Sequence, residues 1–253
     1  MSIKPAAVIG ACLIASSIAA AAADLPGGFV YLAEVDPGIR QDIRYAGPHN
    51  FIGRPVEGYQ ANACVLTESA AVALKEVQAE LAASKLSLIV WDCYRPARAV
   101  RDFLAWSKLP QDARMKPEFF PRADKAQLFA LGYLSLRSGH SRGSTVDLGI
   151  VPGTSPSLPA YDPTAPPKPC TAPKGERFED GTIDLGTGYD CLDPLAGTAS
   201  PNVGREATSN RRLLRTLMRR FGFRPYWREW WHFELVDAPF PQQSFDFPIV
   251  ARP

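Results

Sequence analysis

Only three histidines occur in the 253 residues, His49, His140 and His232, and two of them stand among acidic neighbours. His140 lies in the run Ser138-Gly139-His140-Ser141-Arg142-Gly143-Ser144, with Asp147 close behind it. His232 lies in Glu229-Trp230-Trp231-His232-Phe233-Glu234-Leu235. Neutral imidazoles and a carboxylate are good zinc ligands, and two His plus one Asp leave a fourth position open for water. His140, Asp147 and His232 are therefore the candidate metal ligands, for one zinc per chain. A nearby carboxylate that is not a ligand can take the proton of that water. The metal lowers the pKa of the water and polarises a substrate carbonyl. Glu229 is the candidate for that base. A third run, Leu88-Ile89-Val90-Trp91-Asp92-Cys93-Tyr94-Arg95-Pro96, carries an Asp and an Arg at its end. Arg95 suits a carboxylate or a developing oxyanion. Taken alone, Asp92 and Arg95 fit a structural salt bridge as well.

These groups need elements to hold them. Leu86 to Asp92 reads as a buried strand, and Pro96 to about Trp106 as a helix opened by its proline. Thr145 to Val151 reads as a strand with Val146, Leu148 and Ile150 on one face and Thr145, Asp147 and Gly149 on the other. That alternation turns Asp147 away from the core face and toward a cavity. Trp230 to Val236 reads as a strand with Trp231, Phe233 and Leu235 opposite Trp230, His232 and Glu234. Strict alternation would point Glu229 away from His232, so a bend or bulge near Arg228–Glu229 is expected. Phe29 to Leu32 reads as a short strand. Glu68 to about Ser84 reads as a helix with Ala70, Leu74, Val77 and Leu81 on its buried face. Asp124 to Leu134 is expected to be helical. So is Asn210 to Phe221, with Leu213, Leu214, Leu217, Met218 and Phe221 inward and Arg211, Arg212, Arg215, Arg219 and Arg220 outward. Pro152 to Pro173 holds eight prolines and reads as a surface loop. Helices and strands mix without a strict βαβ rhythm. The expectation is a single α+β domain with a largely antiparallel central sheet flanked by helices and the zinc site at the sheet.

Composition narrows the class. An apolar fraction of 46% with balanced charge argues against disorder, and a net charge of +2 argues against a nucleic-acid partner. Residues 1–23 read as a secretory signal: Lys4, an apolar run, then Ala-x-Ala sites before Asp24. Residues 24–253 form the mature domain, expected to be periplasmic or secreted with no membrane-spanning segment. Lipoprotein processing at Cys12 is the rival reading. Beyond the signal, Cys64, Cys93, Cys170 and Cys191 remain, and an oxidising compartment favours bridges. Four cysteines allow three pairings; Cys64–Cys93 with Cys170–Cys191 is the simplest.

The motifs resemble those of the VanX-type zinc D-alanyl-D-alanine dipeptidases, within the wider zinc DD-peptidase and hedgehog-like group. Beyond the metal runs, the resemblance includes Asp42-Ile43-Arg44-Tyr45-Ala46, Asn50-Phe51-Ile52-Gly53, Gly58-Tyr59 and Tyr94-Arg95-Pro96. It continues through Asp184-Leu185-Gly186, Tyr189-Asp190, Asn210-Arg211-Arg212 and Phe245-Asp246-Phe247-Pro248, in order along nearly the whole mature chain. It implies zinc at His140, Asp147 and His232, Glu229 as general base and acid, and Arg95 at the tetrahedral intermediate. Tyr45, Asp92, Ser138 and Asp190 would surround the substrate. The implied reaction is hydrolysis of D-alanyl-D-alanine to two D-alanine, in scavenging or turnover of cell-wall dipeptide. A dipeptidase must meet a free ammonium in a small closed pocket, and Asp190 is the candidate for it. An open pocket would instead suit a carboxypeptidase or endopeptidase acting on peptidoglycan stems. A zinc-binding interaction module without turnover would not need Glu229 and Arg95. Two departures stand out. Cys93 occupies a position where the family often has Gly, and the Pro152–Pro173 connection is long enough to reshape the substrate entrance.

Overall fold

In the computed structural model, which describes residues 25–153 and 160–252, the apolar run Leu86–Asp92 forms a strand buried along almost its whole length. Such burial is what a strand covered on both faces requires. The strands are β1 (Phe29–Tyr31), β2 (Arg40–Gln41), β3 (Val65–Thr67), β4 (Leu86–Asp92), β5 (Thr145–Pro152), β6 (Phe223–Pro225) and β7 (His232–Leu235). The helices are α1 (Leu32–Val35), α2 (Glu68–Ala82), α3 (Ala97–Ser107), α4 (Lys116–Phe119) and α5 (Gly204–Arg220). The central sheet has the order β2-β4-β5-β7-β6, and β1 and β3 form a separate antiparallel pair. Only the β2–β4 pairing in the central sheet is parallel. The fold is the expected α+β domain, with α2 against β4 and α5 against β6. Among the described residues no helix is long and apolar enough to cross a membrane. The segment read as a signal, and Cys12 within it, lies outside the described residues.

Register places the chemistry. In the β4–β5 ladder Val90 faces Leu148 while Asp92 faces Asp147, so Trp91 is the extra residue of a bulge. A bulge puts two residues opposite one and re-aims the side chains after it. On the other side of β5, Asp147 pairs with His232. Asp92, Asp147 and His232 thus form one row across three neighbouring strands. The two disulfides are Cys64–Cys93 and Cys170–Cys191, the simplest of the three pairings.

Four expectations need correction. Asp124–Leu134 is not an α-helix. The Asp124 side chain accepts from the Ala126 amide and starts one 3-10 turn, Lys125–Gln127. Gly132 then turns left-handed, and both Tyr133 and Leu134 bond back to the Leu128 carbonyl. Lys125 is drawn inward, donating to the carbonyls of Leu109 and Asp112 and lying over Trp106. Helix α5 begins at Gly204 rather than Asn210. Its arginine face is not uniform: Arg211 is buried on the carbonyls of Leu185, Leu195 and Gly197, whereas Leu213 is exposed. Finally, β7 starts at His232. Trp230 and Trp231 precede it in a turn and are both buried, instead of alternating. The Trp230 amide bonds the Ala196 carbonyl, and its indole N–H bonds Thr187.

Candidate active site

Each metal-ligand candidate is delivered by a different device. His140 sits in a 3-10 turn, Gly139–Arg142, that leads into β5. Gly143 ends the turn at φ +82°, and a Cβ there would lie 2.2 Å from the Phe29 ring. Only glycine joins these two elements without displacing Phe29. Asp147 stands on β5. His232 opens β7 after the expected bend: its amide donates to the Glu229 carbonyl (3.3 Å), closing a turn that brings Glu229 back to the same side.

The side chains converge. His140 Nδ1 donates to the Cys93 carbonyl at 2.7 Å, which leaves the Nε2 lone pair facing inward. That Nε2 lies 3.2 Å from His232 Nδ1 and 3.3 Å from Asp147 Oδ1. Asp147 Oδ1 and His232 Nδ1 are 3.0 Å apart. Asp147 Oδ1 is buried without a hydrogen-bond partner. One ligand atom from each residue lies within 4.8 Å of the others. Two imidazoles and an unpartnered carboxylate oxygen aimed at one point form a donor set that fits a divalent cation, and zinc suits its N and O donors. The Cys93 carbonyl is the outer partner that fixes the tautomer of His140.

Glu229 is buried beside this set, its Oε2 3.6 Å from His232 Nδ1. Burial first, then Asp147 and Asp190, push its pKa well above the usual carboxylate range. Burial also pushes Asp147 upward, but His140 and His232 outweigh it and hold that carboxyl well below the usual range. Burial lowers His232, against the pull of Asp147. Asp190 is raised to about 7 by burial and by Asp147. It takes a left-handed φ of +58°, a conformation that costs an L-residue about 1–2 kcal/mol. The Tyr45 hydroxyl donates to Asp190 Oδ2 at 2.7 Å.

Tyr45, Arg95, Ser138, His140, Asp147, Asp190, Glu229 and His232 all line one cavity of about 250 Å³. Asp92 does not line it. Its carboxylate is fully buried, taking the Tyr59 hydroxyl at 2.6 Å and Arg95 Nε at 2.8 Å. Asp92 thus acts as the anchor of Arg95, whose guanidinium lies over the rings of Tyr45 and Phe103. A buried, paired arginine keeps its charge and a fixed direction. Three contributors were not singled out from sequence for a role: Tyr59 on Asp92, Tyr189 donating to Asp147 Oδ2 at 3.2 Å, and the Cys93 carbonyl. Tyr59 and Tyr189 do stand inside recognised motifs, whereas a backbone carbonyl leaves no mark in residue type.

Comparison with known proteins places the chain among relatives. A family model described as D-Ala-D-Ala dipeptidase matches residues 26–155 and 177–250. A D-alanyl-D-alanine dipeptidase of Streptomyces coelicolor is 39% identical over 226 residues, covering 89% of this chain and 100% of that protein. One of Enterococcus faecalis is 34% identical, over 89% of this chain and 100% of its own length. One of Enterococcus faecium is 33% identical, over 88% and 98%.

Proposed function

Because the chain belongs to the D-Ala-D-Ala dipeptidase family of metallopeptidases, we propose that it hydrolyses D-alanyl-D-alanine to two molecules of D-alanine with one zinc ion. His140, Asp147 and His232 would hold the ion, which would supply Lewis acidity toward water and the scissile carbonyl. Glu229 takes the proton of the attacking water and passes it to the leaving amine. Its burial and acidic neighbours raise its proton affinity, as that shuttle needs. Arg95, held by Asp92, meets the oxyanion that develops on the carbonyl. Asp190, steadied by Tyr45, takes the substrate ammonium, and Ser138 offers a hydroxyl toward the other end of the dipeptide.

One observation carries the dipeptidase reading over a carboxypeptidase one. Asp190 is a buried carboxylate lining a cavity of only about 250 Å³, with its lone hydrogen-bond donor an equally buried tyrosine. A charge so placed is costly unless a cation completes it. The product chemistry and the secretory reading of residues 1–23 together suggest extracytoplasmic scavenging or turnover of cell-wall dipeptide. The two disulfides support an oxidising location.

The test is release of D-alanine by zinc-loaded protein from D-Ala-D-Ala and from its N-acetyl form. Cleavage of the free dipeptide alone is the expected result. Equal cleavage of both replaces the closed pocket with an open one and makes the enzyme a carboxypeptidase on peptidoglycan stems.

A further inference from the structure

The family match leaves out residues 156–176, a stretch between Asp147 and Asp190 that contains Tyr161 and Cys170. Two of the contacts that fasten its described part, residues 160–176, bear on the site. The Tyr161 ring stacks on buried His49, with centroids 4.0 Å apart. Cys170 is bridged to Cys191, the residue next to Asp190. The same short segment is laced by backbone bonds. Gly188 N donates to Cys170 O at 2.9 Å, Cys170 N to Glu118 O at 2.9 Å, and Leu192 N to Phe119 O at 2.7 Å.

Asp190 needs such fastening. It is a non-glycine residue with left-handed backbone, and its carboxylate shares the cavity lining with that of Asp147, which repels it. The Tyr45 hydroxyl holds the side chain, but nothing in that bond holds the backbone. The backbone is held by the flanking amide bonds of Gly188 and Leu192 and by the covalent link one residue away, and the Gly188 bond itself ends on bridged Cys170.

We propose that the Cys170–Cys191 bridge is a positioning device for the ammonium-binding carboxylate, so that this chain binds its free dipeptide well only when oxidised. The proposal rests on the reading of Asp190 as the ammonium partner. Cys170 and Cys191 are positioning residues; neither lines the cavity. Closing the bridge joins two thiols as one S–S bond. Two protons and two electrons pass to a disulfide-class oxidant, whose own S–S bond breaks as it is reduced to its dithiol. Reduction by a dithiol or phosphine reverses it and frees the Asp190 backbone to leave its strained conformation.

The experiment compares zinc-loaded wild type, Cys170→Ala/Cys191→Ala, Asp190→Asn and the triple variant on D-Ala-D-Ala, with zinc content measured in each. The alanine pair should raise KM about tenfold or more while kcat stays within about twofold, since binding rather than chemistry is disturbed. Zinc content should not change. Asp190→Asn should raise KM at least as far, and the triple variant should add nothing further. A raised KM in Asp190→Asn beside an unchanged KM in the alanine pair overturns the proposal and leaves the ammonium reading standing. An unchanged KM in Asp190→Asn overturns that reading, and the proposal with it. A loss of kcat alone in the alanine pair marks a merely structural bridge and also overturns it. If the alanine pair does not fold, folded wild type is reduced with a phosphine and alkylated. KM should then rise with the fraction of Cys191 alkylated, and independence from that fraction overturns the proposal.

Discussion

At the scale of single residues the site separates into groups that do chemistry and groups that aim them. Glu229 is a proton carrier in this reading, while His232 is a ligand, although the two nearly touch. Substitution tells them apart. Glu229→Gln preserves shape and hydrogen bonding but cannot take a proton. It should lower the rate of D-Ala-D-Ala hydrolysis by about 10²–10⁴-fold with zinc content unchanged. His232→Ala should lose the zinc, read by elemental analysis. A Glu229→Gln enzyme of full rate would remove the residue as base. His140, Asp147, His232 and Glu229 were legible because few histidines exist to choose from and two of the three stand near acids, whereas Tyr45, Ser138 and Asp190 were legible only through the resemblance. Asp92 carried two readings, a salt bridge with Arg95 from the residues alone and a substrate contact from the resemblance, and the structure shows the salt bridge. What decides between them is the bulge at Trp91, a tertiary fit that alternation cannot reveal and that sets Asp92 beside Arg95.

Elements show the same division. Helix α2 follows from its period, and β4 from its short unbroken apolar run, which needs cover on both faces. The Asp124–Leu134 stretch has the same apolar spacing yet folds into turns, because Gly132 and the inward pull on Lys125 win over a weak helical pattern. Arg211 defeats a charge count on α5: its side chain supplies donors to three carbonyls that no helix or strand satisfies. The loop element around His49 carries a pH prediction. His49 Nδ1 lies 2.8 Å from the Arg44 guanidinium, which must donate to it, so Nε2–H donates to Glu118 Oε1 at 2.6 Å. Burial, with Arg44, lowers the His49 pKa despite Glu118 and the more distant Asp42. Tyr161 and Phe178 cover the ring. The unfolded chain therefore binds a proton near the ordinary histidine pKa of about 6.5, before the folded one does. The contribution is present above that pH and is lost as pH falls toward the folded pKa. Tm of the wild type should drop more steeply between pH 7 and pH 5 than Tm of His49→Gln. Parallel curves would refute the assignment.

For the molecule as a whole, each of the two bridges ends beside a residue of the cavity, the Cys93 carbonyl at His140 and Cys191 next to Asp190. Cys64–Cys93 stands behind the metal ligands, because the Cys93 carbonyl orients His140. It spans 29 residues, and cross-linking a loop of that size stabilises a fold by about 3–4 kcal/mol in the chain-entropy account. Cys64→Ala/Cys93→Ala should lower the urea midpoint accordingly with the slope little changed; a midpoint equal to wild type would show that the bridge constrains nothing. The α+β class and the strand at the centre were readable from pattern. The parallel edge strand β2, two residues long, was not, because periodicity needs more than one repeat to register. The covalent framework also governs how the chain is made. Among the described cysteines each joins the next one along the sequence, Cys64 to Cys93 and Cys170 to Cys191. Neither loop encloses a cysteine of the other bridge, so the two can close in either order without threading or blocking one another.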